Sequence, residues 1–155
     1  MQKYLNLKTK QYKLKLRLAN PDDLVFTLKL HNENVKKKKF FSKNKVSLEE
    51  HRLWFKKKLK DKMLYICTLK SKIGYIRYEI LKKNCLTVSI ALKDKYKRKG
   101  FGKIMLEKTL KKKKIKVNNI FAIVKKNNVS SKKFFLSNGF TNFKKNTYIK
   151  KIKKI

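Results

Sequence analysis

Proline occurs once in these 155 residues, tryptophan once, cysteine twice and glycine four times. Nine acidic residues stand against 46 lysines and arginines, and only Arg17, Arg52, Arg77 and Arg98 among the latter are arginines. Each scarcity excludes something. Cys67 and Cys85 stand alone, with neither C-x-x-C nor metal-ligand spacing, which argues against a disulfide framework and supplies no metal site. Each lies in an apolar run and reads as a small buried residue. No stretch approaches 18 apolar residues and no signal-peptide core opens the chain, so membrane spans are not expected and a cytoplasmic location is. No repeat, linker or low-complexity boundary divides the sequence, and one domain over 1–155 is the expectation.

What is abundant is lysine. The formal net charge is +37 and suggests a polyanionic partner, because phosphate neutralisation drives nucleic-acid binding. Two features oppose a specific nucleic-acid function. The charge is spread along the whole chain rather than gathered in a patch or tail. Arginine, which reads phosphates and bases through a planar fork, is nearly missing. With 41% hydrophobic residues, the chain has material for a real core.

Read in order, Tyr12, Leu14, Leu16 and Leu18 alternate with basic residues as in a half-buried strand. Asn20-Pro21-Asp22-Asp23 opens a helical segment, Lys36–Lys39 reads as a solvated face or loop, and Ser47-Leu48-Glu49-Glu50 is a capping box. The helix behind that box carries His51, Trp54, Phe55 and Leu59. Strands over 64–69, 73–80 and 86–92, joined by short turns, predict an antiparallel meander. Ile104, Met105, Leu106, Thr109 and Leu110 recur at helical spacing, 119–124 is another strand, and 130–137 a short helix stopped by Asn138-Gly139. A last hairpin ends near Tyr148-Ile149, with 150–155 expected to fray.

The sequence is organised around Lys97-Arg98-Lys99-Gly100-Phe101-Gly102, set between a strand and a helix. Glycines let a backbone turn tightly and approach a ligand, and free N–H groups at a helix start attract anions. From the residues alone this is either a phosphate-gripping turn or an ordinary strand-to-helix turn on a basic chain.

Two separated segments then agree. Tyr96-Lys97-Arg98-Lys99-Gly100-Phe101-Gly102 resembles the acetyl-coenzyme-A loop of the GNAT acyltransferases, R/Q-x-x-G-x-G/A, with Lys97 where that family has Arg or Gln. Asn128 through Phe140 resembles the family's closing segment, in which an asparagine leads a helix ending in Gly-Phe. Leu30-His31-Asn32, Val46 through Phe55, and Ile73 through Tyr78 are similar to the branch that N-acetylates nucleotide-linked amino sugars, although His31 stands where an arginine recurs.

The resemblance implies a single-domain α/β fold, with a mixed, mostly antiparallel twisted sheet flanked by helices. It implies an acetyl-CoA-dependent N-acetyltransferase working by direct attack of a primary amine, with the amino group of a nucleotide-linked (UDP-type) deoxyamino-sugar as acceptor. A peptide N-terminus of the ribosomal-protein type, or a non-catalytic basic RNA-binding module, are the alternatives. A monomer or homodimer acting on a small molecule, without membrane or specific nucleic acid, goes with the leading reading. Lys97, Arg98, Lys99, Gly100, Phe101 and Gly102 would take the pyrophosphate on backbone N–H groups. Ile90, Ala91 and Leu92 would run beside the pantetheine and offer an N–H to the thioester oxygen. Asn128 would hold the cofactor arm, and Phe135 stands where many relatives carry a tyrosine acid. His51 is the candidate base or else a packing histidine, and Glu79 a second candidate or an exposed carboxylate. Trp54 would stack on a sugar or base, and Asn32 and Arg77 would reach phosphate or hydroxyl groups, unless these three only pack, cap or face solvent.

Overall fold

A computed structural model describes residues 13–41, 43–112 and 117–152. Tyr12 of the first expected strand and 153–155 of the expected frayed end lie outside them. The strands are β1 (Lys15–Leu18), β2 (Leu64–Thr68), β3 (Lys72–Lys82), β4 (Cys85–Leu92), β5 (Asn119–Ile123), β6 (Thr141–Lys144) and β7 (Thr147–Lys151). The helices are α1 (Leu24–Lys36), α2 (Leu48–Asp61), α3 (Phe101–Lys112) and α4 (Val129–Ser137). The strands form one sheet in the order β1-β2-β3-β4-β5-β7-β6. Every pairing is antiparallel except β4 with β5. Among the described residues the result is a seven-stranded, mostly antiparallel α/β fold flanked by four helices.

Local chemistry explains the elements. Asn20 caps a 3-10 turn (Pro21–Asp23) that runs into α1; its side chain accepts from Asp22 N while its own N–H donates to Asp23 Oδ2. Asp23 is fully buried between Arg17 (2.7 Å) and Lys72 (2.7 Å). Burial pushes its pKa up, but the bonds from Arg17, Lys72 and Asn20 outweigh that and hold it at about 2. At α2 both halves of the capping box form, Glu50 N to Ser47 Oγ at 3.2 Å and Ser47 N to Glu50 Oε2 at 3.1 Å. The last hairpin runs further than expected. Lys150 and Lys151 belong to β7, paired with Ile120 and Asn119, because β5 offers them a ladder partner.

The sheet is buried on both faces, which is why β2 reads as a nearly unbroken apolar run. Leu64 and Ile66 face a cluster with Leu30 of α1 and Phe55 of α2. Tyr65 and Cys67 face the larger cluster with Met105 and Leu106 of α3 and Phe135 of α4. Tyr78 Oη meets Thr109 Oγ1 at 2.6 Å and ties β3 to α3. Cys67 and Cys85 are buried and free, and burial pushes the Cys67 thiol up to about 12.

One break in the sheet matters for everything below. β4 and β5 pair only from Cys85↔Asn119 to Thr87↔Phe121. Beyond Thr87 the two strands part, and β4 from Val88 to Leu92 has no strand partner on that side among the described residues.

Candidate active site

The unpaired end of β4 lines a cavity of about 590 Å³. Ile90, Ala91 and Leu92 form one wall, and Phe134 and Phe135 of α4 the other. Gly100, Gly102, Arg98, Lys97 and Lys103 line its basic end. The turn is built from left-handed backbone, with φ of 57° at Arg98 and 83° at Gly100. Ile104 N bonds Gly100 O at 3.3 Å, so the N–H groups of Phe101, Gly102 and Lys103 have no intrahelical acceptor. A Cβ on Gly102 would lie 3.0 Å from Phe134, so glycine is what allows α3 and α4 to close together here. Asp94 lies at the same end, ion-paired with Lys37 from the end of α1 and with Lys97 at 2.8 Å. Those two lysines hold its carboxyl down at about 2.

Asn128 is buried and caps α4; its Oδ1 accepts from Ser131 N at 3.3 Å and its Nδ2 reaches Lys39 O at 3.4 Å. It therefore joins α4 to the segment after α1 while lining the cavity. Phe135 packs edge-on against Phe134 and Phe140, at 5.1 and 5.0 Å between ring centroids, and has no hydroxyl to donate.

A second cavity, about 240 Å³, is lined by His31, Phe40, Phe41, Arg77, Glu79, Thr87, Val88, Ser89 and Ile123. Phe40 lines both cavities and stacks on His31 at 5.0 Å. Arg77 donates to Glu79 at 3.1 Å and lies over Trp54 at 5.2 Å. Lys58 Nζ lies 3.4 Å from the same carboxylate. Burial lowers the Lys58 pKa below the ordinary lysine value, with Glu79 pulling the other way. Among the described residues, two buried side-chain nitrogens, His31 Nε2 and Arg77 Nε, have no hydrogen-bond partner.

A family model described as an acetyltransferase (GNAT) domain matches residues 13–141. The chain belongs to the GNAT acetyltransferases. Solved structures share the fold of this GNAT enzyme. The ribosomal-protein-alanine N-acetyltransferase from Brucella melitensis is 18% identical, covers 89% of this chain and 99% of its own, and has a TM-score of 0.78. An N-acetyltransferase from Staphylococcus aureus Mu50 gives 16%, 91% and 99%, and 0.77. A phosphinothricin acetyltransferase from Sinorhizobium meliloti, in complex with acetyl-CoA, gives 20%, 88% and 85%, and 0.75. No curated protein matches the sequence.

Acetyl-CoA as co-substrate fits the residues present: a basic end with free backbone donors for a pyrophosphate, then an apolar channel beside a free strand edge. Of the residues expected at the cofactor, Ile90, Ala91, Leu92, Lys97, Arg98, Gly100, Gly102, Asn128 and Phe135 line the large cavity of this GNAT acetyltransferase. Lys99 is exposed outside it, and the Phe101 side chain packs on the core against Tyr96 at 6.0 Å. The acceptor-side expectations divide. Arg77 and Glu79 line the small cavity, whereas His51, Trp54 and Asn32 line neither. His51 is 4% exposed and its Nε2 lies 2.8 Å from Thr27 Oγ1. Thr27 spends its hydrogen on the carbonyls of Asp23 or Leu24, so it accepts from Nε2–H of His51. Asn32 spends both ends of its amide on the backbone of Val46. Trp54 acts as the surface on which Arg77 rests.

Sequence reasoning passed over Asn34, Phe40, Asp94, Lys103 and Phe134 at the large cavity, and Ser89 at the small one. The one available signal was position: Ser89 directly precedes Ile90, and the Phe40-Phe41 pair follows a lysine run.

Proposed function

We propose that the protein transfers acetyl from acetyl-CoA to the primary amine of a small anionic acceptor, with a nucleotide-linked deoxyamino-sugar as the best candidate. The observation that carries this reading is the meeting of two cavities at Phe40, beside the free edge of β4. The large cavity would take acetyl-CoA. Its pyrophosphate would lie on the amides of the 97–102 turn, its arm would pass Asn128 and Phe135, and its thioester would face the 90–92 edge. A backbone N–H there would stabilise the oxygen as charge develops on it. The small cavity would take the amino-sugar ring, with Arg77 offering an unpartnered donor to an acceptor oxygen and Glu79 a carboxylate to the amine. The net charge of +37 favours an anionic acceptor over a basic one by simple steering, and this supports a nucleotide-bearing substrate. Among the described residues no helix is long and apolar enough to cross a membrane.

A second reading, acetylation of a protein N-terminus, is favoured by the structural likeness to the Brucella ribosomal-protein-alanine enzyme. A coenzyme-A release assay separates the two, with UDP-linked aminodideoxy-sugars, polyamines and peptide N-termini as acceptors. Turnover of the nucleotide sugars alone is the expected result, and turnover of peptides alone would overturn the substrate assignment. Salt-dependent RNA binding with no melting shift by acetyl-CoA would overturn the transfer reading in favour of a binding module.

A further inference from the structure

We propose that Nε2 of His31 is the atom that accepts the proton of the incoming amine, so that α1 supplies the base of the reaction. This rests on the acetyl-transfer reading above. His31 lines the smaller cavity, and its Nε2 is buried with no partner, a state that costs stability unless a ligand completes it. The imidazole also stands at the junction of the two cavities, because Phe40 stacks on it at 5.0 Å and lines both. Ser89 lines the small cavity and its neighbour Ile90 the large one, so an amine held beside Ser89 is next to the free strand edge. His51, the other histidine, has its Nε2 committed to Thr27.

The groups around His31 suit the task. Arg77 and Glu79 stand near it from β3 and His51 from α2, and Thr87 and Ser89 of β4 line the same cavity. Burial and then Arg77 hold the His31 pKa down at about 4, so the ring is neutral at pH 7, and in the Nδ1–H tautomer Nε2 carries the free lone pair that the transfer uses. In the transfer, the amine nitrogen forms a C–N bond at the thioester carbonyl and the C–S bond breaks. Sulfur leaves as thiolate. Nε2 takes the surplus proton from the nitrogen, which leaves a neutral amide. The imidazolium, disfavoured by burial and by Arg77, releases that proton through solvent to the thiolate. The net change is amine and thioester to amide and thiol, with the base regenerated.

The test uses the full chain, acetyl-CoA and whichever amine of the acceptor panel the wild type turns over fastest. His31→Ala and His31→Gln should each lose kcat by about a hundredfold, while the melting shift produced by acetyl-CoA stays as in the wild type. Free imidazole should restore part of the rate of His31→Ala, a recovery that a merely structural role would not give. By nitrogen-15 NMR the His31 signal should move when coenzyme A and that amine are added together, and the His51 signal should not. Either variant retaining kcat to within about twofold overturns the assignment, as does a loss with neither imidazole rescue nor a His31 shift. If the wild type binds acetyl-CoA yet acetylates none of the amines, the transfer reading itself falls and takes this assignment with it.

Discussion

The two cavities are built in opposite ways. The larger one is backbone work: a free strand edge at 90–92, a left-handed turn at 98–100 and the first amides of α3 follow one another within a short stretch of chain. The smaller one is side-chain work, gathering His31 from α1, Phe40 from the segment after it, Arg77 and Glu79 from β3 and Ser89 from β4. A site made of contiguous backbone holds a group common to many reactions and tolerates changes of side chain, as at Lys97. A site made of single side chains drawn from distant elements decides which molecule reacts, and one substitution alters it. The comparison predicts that the two halves fail separately.

Acid separates them most strongly. His31 lines the smaller cavity and His51, bonded to Thr27, lines neither; both are held at about 4 against the ordinary 6.5, His51 by burial first and then by His31 and Arg77. Between those values the unfolded chain binds protons that the folded chain refuses, so stability falls as pH drops from 6.5 to 4 and the contribution is fully lost below 4. For the 4%-exposed His51 the loss is about 3 kcal/mol. Asp23, held at about 2, adds a second and lower window between its usual 3.8 and 2. At the larger cavity the carboxylate Asp94 is also held at about 2 and does not titrate in the histidine window. Urea unfolding at pH 7 and pH 4.5 should show the drop, and His51→Gln should flatten the curve; a pH-independent midpoint would contradict the burial argument.

Next in size is the donor side alone. Gly102→Val places a branched side chain where even a Cβ stands 3.0 Å from Phe134, and forces that ring into the channel. The overpacking should cost about 2 kcal/mol of acetyl-CoA affinity, roughly thirtyfold in Kd, with acceptor specificity unchanged. Calorimetric titration with acetyl-CoA checks it, and unaltered affinity would mean that the α3–α4 junction does not bound the site.

How much of this could be read beforehand follows the same division. The capping box at Ser47 and Glu50, the meander and the strand-to-helix turn at the glycines are local patterns, each carried by a few adjacent residues, and they form as read, whereas the capping of α4 by Asn128 comes from the structure. His51 reads as either base or packing residue because its neighbours in sequence, Trp54 and Phe55, look like a binding cluster, whereas its partner is Thr27, 24 residues away on another helix. His31 shows the converse. In sequence it is a departure from a family pattern, and only the packing of Phe40 over it reveals an imidazole with an open nitrogen. Lys150 and Lys151 read as a fraying tail because lysine is a poor strand former, but a paired ladder overrides propensity.

The smaller cavity has its own probe in Arg77. Arg77→Met removes the donor, frees Glu79 from one of its two cations and leaves Trp54 without the guanidinium above it. The acceptor KM should rise about tenfold with the Kd for acetyl-CoA unchanged, and Arg77→Lys should fare little better because an ammonium lacks the planar fork. Steady-state kinetics against both substrates would show it. A rise in both constants would mean that the two cavities are one site energetically.

The smallest effect is expected at Phe135, where adding a hydroxyl tests whether the donor side lacks a catalytic group. The ring lines the large cavity between Phe134 and Phe140, so Phe135→Tyr carries a phenol toward the channel at the position where many GNAT relatives have one. A general acid that assisted a poor leaving group would contribute a hundredfold or more, on the order of what such acids supply elsewhere. A coenzyme-A thiolate, however, leaves without much help, and the proton that finally reaches it need not come from a positioned donor. We therefore expect kcat to change by less than about threefold, with proximity and the strand-edge amide supplying most of the acceleration. A tenfold rise in kcat, read under saturating acetyl-CoA, would show instead that the rate of this enzyme is set by departure of the thiol. The proton taken up on the acceptor side would then no longer govern turnover.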